Sequence, residues 1–137
     1  MNNFLSEDFK DRYSFEDRFN ECSRILSKFP DRIPVIVQRN KNNDMPKIDK
    51  EKFLVPSDLT LGQFVFIIRK RVHLSSEKAL FLFVGNNLPT SGSLMRELYH
   101  LYKNEDGFLY VIYSGENVFG ISFYEESCKG LCNLIIT

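Results

Sequence analysis

The sequence of 137 residues predicts an α+β domain in which a four-stranded mixed sheet wraps one helix, with a further helical region ahead of it. Three observations carry that prediction. Apolar positions recur every three or four residues in two stretches, the period of a one-sided helix. Four short runs are rich in β-branched and aromatic residues and bounded by Pro, Gly, Asn or Asp, as strands are. The elements come in the order helix, strand–turn–strand, helix, strand, helix or turn, strand.

A short helical turn is expected around residues 7–12. The first long helix carries the stripe Phe15, Phe19, Cys22, Ile25, Leu26 and Phe29. Ser14 followed by Asp17 is a weak capping-box variant ahead of it, and Pro30 stops it because the residue before a proline avoids helical geometry. Residues 32–39 read as a β-branched strand, residues 40–46 as a polar turn, and residues 52–56 as a short strand bounded by Pro56, as edge strands often are. Together they form a hairpin. Asp58 or Thr60 can cap a helix over residues 61–72 that buries Phe64, Ile67, Ile68 and Val72 and leaves Arg69, Lys70 and Arg71 largely outside. Residues 79–84 are almost wholly apolar, as a central strand buried on both faces should be. After a turn at Gly85, Asn86 and Asn87, Ser93 can cap a helix to Tyr102 with Leu94, Leu98 and Leu101 inward. Asp106 and Gly107 turn into a last core strand over residues 108–113. Without the first helix the order is ββαβ(α)β, that of the ubiquitin-like β-grasp.

Composition narrows the function classes. The chain is 43% hydrophobic and 26% charged, so it is a globular sequence and not a disordered one. Eighteen Lys and Arg balance eighteen Asp and Glu, so no net charge steers it toward nucleic acid or anionic lipid. No apolar run approaches the ~20 residues of a membrane span, and the first residues lack the basic and apolar regions of a secretory signal. Three cysteines are too few for a disulfide scaffold and favour a reducing compartment.

Nor is there a catalytic constellation. His73 and His100 lie in no nucleophile motif, and no phosphate-cradling glycine loop occurs. Cys22 falls on the apolar stripe of the first helix and reads as packing. Cys128 and Cys132 have no second Cys/His pair at ligand spacing, so no metal is expected. No cofactor and no enzymatic activity are expected. The run Arg69, Lys70, Arg71 is a solvated helix face or a docking patch for an acidic partner. Residues 24–52 are also tilted, with eight bases against four acids. Because the aromatics fall on core periods and not on an exposed basic face, nucleic acid is not an expected partner.

Blocks of the sequence, in order, resemble one family. They are residues 28–37 (Lys28-Phe29-Pro30-Asp31-Arg32-Ile33-Pro34-Val35-Ile36-Val37), Ile48-Asp49-Lys50 with residues 52–60, Gly62-Gln63-Phe64 with residues 67–71, residues 80–84, residues 106–110, and the closing Tyr113-Ser114-Gly115-Glu116-Asn117-Val118-Phe119-Gly120. They are similar to the autophagy-related protein 8 family of ubiquitin-like modifiers, whose animal members are GABARAP and microtubule-associated protein light chain 3. The match covers roughly residues 10–120. Phe29 and Phe53 stand where relatives often have Tyr, which removes hydroxyls and leaves the apolar surface.

The resemblance implies a function. A processing cysteine protease cuts after the family's C-terminal glycine, here Gly120, with Phe119 before the cut and Ile121 after it. Activating and conjugating enzymes then pass the new carboxylate as a thioester and join it to phosphatidylethanolamine, so the protein is cytoplasmic and, once lipidated, on the autophagosomal membrane. A glycine suits that position because, lacking Cβ, it lets an extended chain pass through narrow active sites. The resemblance also implies a groove for receptor peptides of the pattern aromatic-x-x-aliphatic, added as a strand to an exposed edge. Its aromatic pocket is Glu21, Ile25, Pro34, Ile36, Lys52, Leu54 and Phe108; its aliphatic pocket is Phe53, Val55, Pro56, Leu59, Phe64 and Ile67. Arg32, Lys50 and Arg71 can pair with acids flanking the peptide. Ordinary core packing competes for the apolar members, above all for Phe64 and Ile67, which share the buried helix period.

Three parts are therefore expected: a ubiquitin-like domain with its helical extension over residues 1–113, a flexible arm over 114–120, and an extension over 121–137 that serves as a pro-segment. That extension is longer than the family's usual few residues. If it stays on, the alternative is an unprocessed interaction module acting as a trafficking or cytoskeletal adaptor. Its removal takes away two Glu and one Lys and leaves a net charge of +1, so membrane attachment comes from the lipid and not from charge.

Overall fold

The structure is a computed structural model and describes residues 8–41 and 45–116. Gly120 with Phe119 and Ile121, the extension over 121–137 with Cys128 and Cys132, and Asn42–Asp44 of the polar turn lie outside the described residues.

Four strands form one sheet: β1 (Arg32–Arg39), β2 (Lys52–Pro56), β3 (Phe81–Val84) and β4 (Leu109–Ser114), in the lateral order β2-β1-β4-β3. The outer pairs β1–β2 and β3–β4 are antiparallel, and the central pair β1–β4 is parallel, so the sheet is mixed as expected. Pro34 lies on a central strand, where a missing N–H would ordinarily cost a ladder bond. It is tolerated because the ladder to β4 starts one residue later, at Val35 opposite Leu109.

Alternation sorts the side chains of the sheet onto two faces. Ile33, Val35, Val37, Phe53, Val55, Leu82, Val84, Leu109, Val111 and Tyr113 build the main core with Leu61, Phe64, Val65, Ile68 and Val72 on and just after helix α3 (Leu61–Arg71) and with Met95 and Leu98 on α4 (Met95–Tyr102). Between Asp58 and Thr60, it is Thr60 that caps α3. Its hydroxyl accepts from the Gln63 N–H at 3.1 Å, while the Gln63 side chain accepts from the Thr60 N–H at 2.9 Å. This reciprocal pair satisfies donors that helix ends otherwise leave open. The opposite face, with Ile36 and Leu54, is covered by α1 (Phe9–Arg12) and α2 (Phe15–Lys28).

Three expectations need correction. The run 79–84 forms an edge strand and not a central one. It is buried because Leu82 and Val84 meet the main core while Phe81 and Phe83 meet Ala79, Leu88 and Ile112. Covered faces and paired edges are independent properties of a strand. On α4 the inward residues are Met95 and Leu98, and Leu101 is exposed. The helix starts two residues after Ser93, whose hydroxyl pairs with that of Thr90 at 3.2 Å, so Ser93 is not the cap. On α2 only Cys22 and Ile25 of the stripe are fully buried; Phe15, Phe19 and Phe29 are exposed, and Phe15 stacks on Phe19 at 5.9 Å.

Candidate functional site

Among the described residues, strand β2 has one paired edge, to β1, and one free edge. The Val37 N–H donates to the Glu51 carbonyl at 2.7 Å. In an antiparallel pair, bonded and non-bonded positions alternate, so Phe53 and Val55 turn their backbone groups toward β1. Lys52 and Leu54 therefore turn both N–H and C=O toward the free edge. An extended peptide finds there the donors and acceptors that a further strand needs.

The two predicted pockets fall on opposite faces of the sheet along this edge. Lys52 and Leu54 share a face with Pro34 and Ile36, and α2 brings Glu21 and Ile25 onto the same face. Phe108, fully buried, forms the floor with Ile36 and is backed by Phe9 of α1 in an edge-on contact at 5.6 Å. Phe53 and Val55 point the other way, toward α3, where the Phe53 ring meets Phe64 edge-on at 5.7 Å and Leu59 and Ile67 pack at the margin. Pro56 is exposed at the end of the strand. Phe64 has no exposed surface, so it serves as core beneath the second set, whereas Ile67 keeps part of its surface open.

Charge rims the first set. The Glu21 carboxylate accepts from Lys52 Nζ at 2.8 Å and from Arg24 Nη2 at 2.9 Å. Its hydrogen bonds to Arg24 first and to Lys52 second hold the carboxyl at about 2. The ion pair with Lys52 links α2 to the start of β2. On the second side the Lys50 ammonium lies over the Phe53 ring at 5.4 Å, and Arg71 Nε is 3.3 Å from Asp49. Arg32 is exposed where β1 begins.

The basic run of α3 is not one patch. Arg69 donates to the carbonyls of Ser75 and Lys78 and holds the loop after the helix. Lys70 lies over the Phe66 ring, and Arg71 pairs with Asp49 in the segment ahead of β2.

A polar cluster that the sequence reading missed anchors α2. Asp106 is buried, and its Oδ2 accepts from Arg18 Nη1 and from the Tyr110 hydroxyl, each at 2.5 Å, while Oδ1 accepts from the Phe108 N–H at 2.9 Å. Burial first, and then the bond to Asp106, raise the Tyr110 phenol above its usual range. Arg18 and Asp106 are 88 positions apart, so no local pattern joins them. Next to this cluster, Cys22 packs against Gly107. That glycine has φ +97°, and a Cβ on it would stand 2.7 Å from the Cys22 sulfur. Burial pushes the Cys22 thiol up to about 11, so it stays protonated and inert, as its packing position implies.

Comparisons with known proteins agree with this architecture. A family model described as "Autophagy protein Atg8 ubiquitin like" matches residues 17–120. The chain is similar to the Autophagy-related protein 8 of Pichia angusta, at 59% identity over 85% of this chain and 93% of that protein. It is 59% identical to Autophagy-related protein 8e of Arabidopsis thaliana, over 83% of this chain and 93% of the relative. Among solved structures, Trypanosoma brucei ATG8 superposes with a TM-score of 0.77 at 44% identity, covering 84% of this chain and 99% of that one. Plasmodium falciparum Atg8, solved in complex with a Plasmodium falciparum Atg3 peptide, gives 0.75 at 42% identity, over 81% of this chain and 98% of that one. With its mixed β-grasp sheet and a family match over most of its length, this chain belongs to the Atg8 family of ubiquitin-like autophagy proteins.

Proposed function

We propose that the chain is an autophagy modifier conjugated to phosphatidylethanolamine through Gly120 and that it recruits receptors through the free edge of β2. The observation that carries the reading is the division of the two apolar sets across the two faces of that edge. In an extended strand, residues i and i+3 project to opposite faces. A peptide of the pattern aromatic-x-x-aliphatic, laid along β2, therefore delivers its aromatic side chain to the Lys52, Leu54 and Ile36 side and its aliphatic one to the Phe53, Val55 and Ile67 side. Spacings of two or four would put both on one face and leave the other empty. Arg32, Lys50 and Arg71 stand where acids flanking such a peptide would be neutralised.

The same edge accounts for more than one partner, since β-augmentation binds through main-chain hydrogen bonds and leaves specificity to alternate side chains. A peptide of a conjugating enzyme would engage it as a receptor peptide does; the complex of the Plasmodium relative with its Atg3 peptide supports that reading. The remaining partners are a cysteine protease that exposes the Gly120 carboxylate, an activating enzyme that adenylates it, and the lipid amine that finally accepts it. The protein then moves from cytoplasm to the autophagosomal membrane, held there by the lipid.

Two measurements test the two halves. Calorimetric titration with an aromatic-x-x-aliphatic peptide should show Leu54→Ala and Lys52→Ala weakening binding by about 1–2 kcal/mol each, the cost of truncating a contact residue that is not the dominant anchor; unchanged affinity removes the groove assignment. Intact mass of the protein from the cells that make it should show a chain ending at Gly120, part of it carrying a phospholipid, and Gly120→Ala should abolish both species. Recovery of only the full-length chain would instead support an unprocessed interaction module.

A further inference from the structure

We infer that a cleft at the end of β4 holds the chain's own Val118 and Phe119, storing the arm that carries Gly120 against the domain until a partner draws it out. The cleft has a volume of about 460 Å³ and lies between the loop that precedes β2, the loop that follows α3, and the residues that leave β4. It lies where the chain leaves β4, and none of its lining residues belongs to the peptide groove, so the two are separate. Met45, Leu74 and Ala79 give it apolar surface, Gly115 and Glu116 line it where the chain leaves β4, and His73, Ser75 and Lys78 add polar groups.

The occupant follows from where the chain goes. Beyond Ser114 the arm is polar or glycine except for Val118 and Phe119. The chain leaves β4 already close against the cleft: a Cβ on Gly115 would stand 3.0 Å from the Met45 sulfur, so a larger residue there would have to displace the Met45 side chain by a few tenths of an ångström. Glu116 is held at the rim by its N–H, which donates to the Ser114 hydroxyl at 3.1 Å. Two or three further residues, at ~3.3 Å each, reach about 7–10 Å, enough to turn a side chain back onto Leu74 and Ala79. A cleft of this volume lies in the ~300–1,000 Å³ range of pockets that bury small ligands, ample for one phenyl ring. Because the ligand is tethered, its effective concentration is in the ~mM range, and even a weak contact is populated. The link to Gly120 chemistry rests on the modifier reading above; the docking does not, since it concerns the unprocessed chain alone.

The chain contains no Trp, so Phe119→Trp in the full-length protein supplies a single indole reporter. Its emission should be blue-shifted and its iodide quenching several-fold weaker than when Ala79→Glu or Leu74→Asp is added to block the cleft; each blocking variant is read only where it gives a cooperative thermal melt, and the second stands in for the first where it does not. Neither readout should change on dilution. A solvent-like indole in the intact chain overturns the inference. So does a protected indole that ignores both blocking substitutions. Protection that vanishes on dilution also overturns it, assigning the cleft to a second copy of the chain. None of these readouts uses a protease or a lipid, so failure here is distinguishable from failure of the conjugation reading.

Discussion

The two faces of the sheet are built differently. Toward α3 and α4 the contacts are mainly apolar, from Val35 and Leu109 to Phe64 and Ile68, and nearly all lack exposed surface; the Tyr113 hydroxyl adds bonds to the Ile48 N–H and the Pro46 carbonyl. Toward α1 and α2 the apolar cluster is small: Phe9, Cys22, Ile25, Ile36 and Phe108. Polar contacts complete it, with Asp106 bound to Arg18 and Tyr110, Glu21 to Lys52, and the Gln38 side chain accepting the Phe9 N–H at 2.7 Å. Apolar burial is additive and indifferent to direction, whereas these bonds fix where α1 and α2 sit and are strong only while their geometry holds. One face makes the domain; the other places a pocket on it.

The sharpest way to break that contrast is to cut each face once. Phe64→Ala removes a fully buried ring from the first face and should cost about 3–5 kcal/mol, the range for deleting a buried aromatic. Urea unfolding followed by circular dichroism and by tyrosine fluorescence should show both transitions moving together, because the loss is felt by the whole core. A cost below about 1 kcal/mol would mean that the cavity collapses and that this face is not the close-packed one.

Asp106→Ala cuts the second face. Removing one member of a buried ion pair costs about 3–5 kcal/mol, and Arg18, which retains a little access to water, puts the value toward about 3. The distinguishing result is regional. Hydrogen exchange should lose protection first in α1, in α2 and in the turn at residues 104–108, while the amides of β1 and α3 keep theirs. Uniform loss would show that the two faces unfold as one unit. A cycle with Arg18→Met isolates the pair itself from the bonds that Asp106 makes to Tyr110 and Phe108.

What was legible in the sequence follows the same division. Helix α3 with a cap at Asp58 or Thr60, the hairpin of β1 and β2, and the proline-bounded edge at Pro56 are local patterns, and the fold has all three, with Thr60 as the cap. The apolar stripe of α2 was visible, yet periodicity identifies a face and not which of its residues meet the sheet. Within α2 the buried residues are Cys22 and Ile25, so Phe15 and Phe19 on the helix and Phe29 at its end stay exposed. Residues 79–84 showed that they are buried but not which strand lies beside them, because lateral order is set by partners far along the chain. Asp106 carried no signal at all: an acid before a glycine reads as a turn, and only folding brings Arg18 to it.

The smallest effect tests whether the rim charge belongs to the second face energetically or only in position. Arg24 and then Lys52 depress the Glu21 carboxyl from 4.5 to about 2. A depressed carboxyl contributes stability above its unfolded value and loses it as pH falls through the folded one. Wild type should therefore hold this contribution at neutral pH and lose it between about 4.5 and about 2. Glu21 is about one-third exposed, with 30% of its side-chain surface open, so solvent screens the pair and the contribution is within the ~0.2–1 kcal/mol of exposed ion pairs, well under what the depressed value alone would give. Glu21→Gln keeps the shape and removes the charge: its urea midpoint should sit slightly below wild type at neutral pH and meet it as the pH nears 2. A gap that persists in acid would assign the loss to something other than the charge, and the rim would then not act as a charged edge around the apolar cluster.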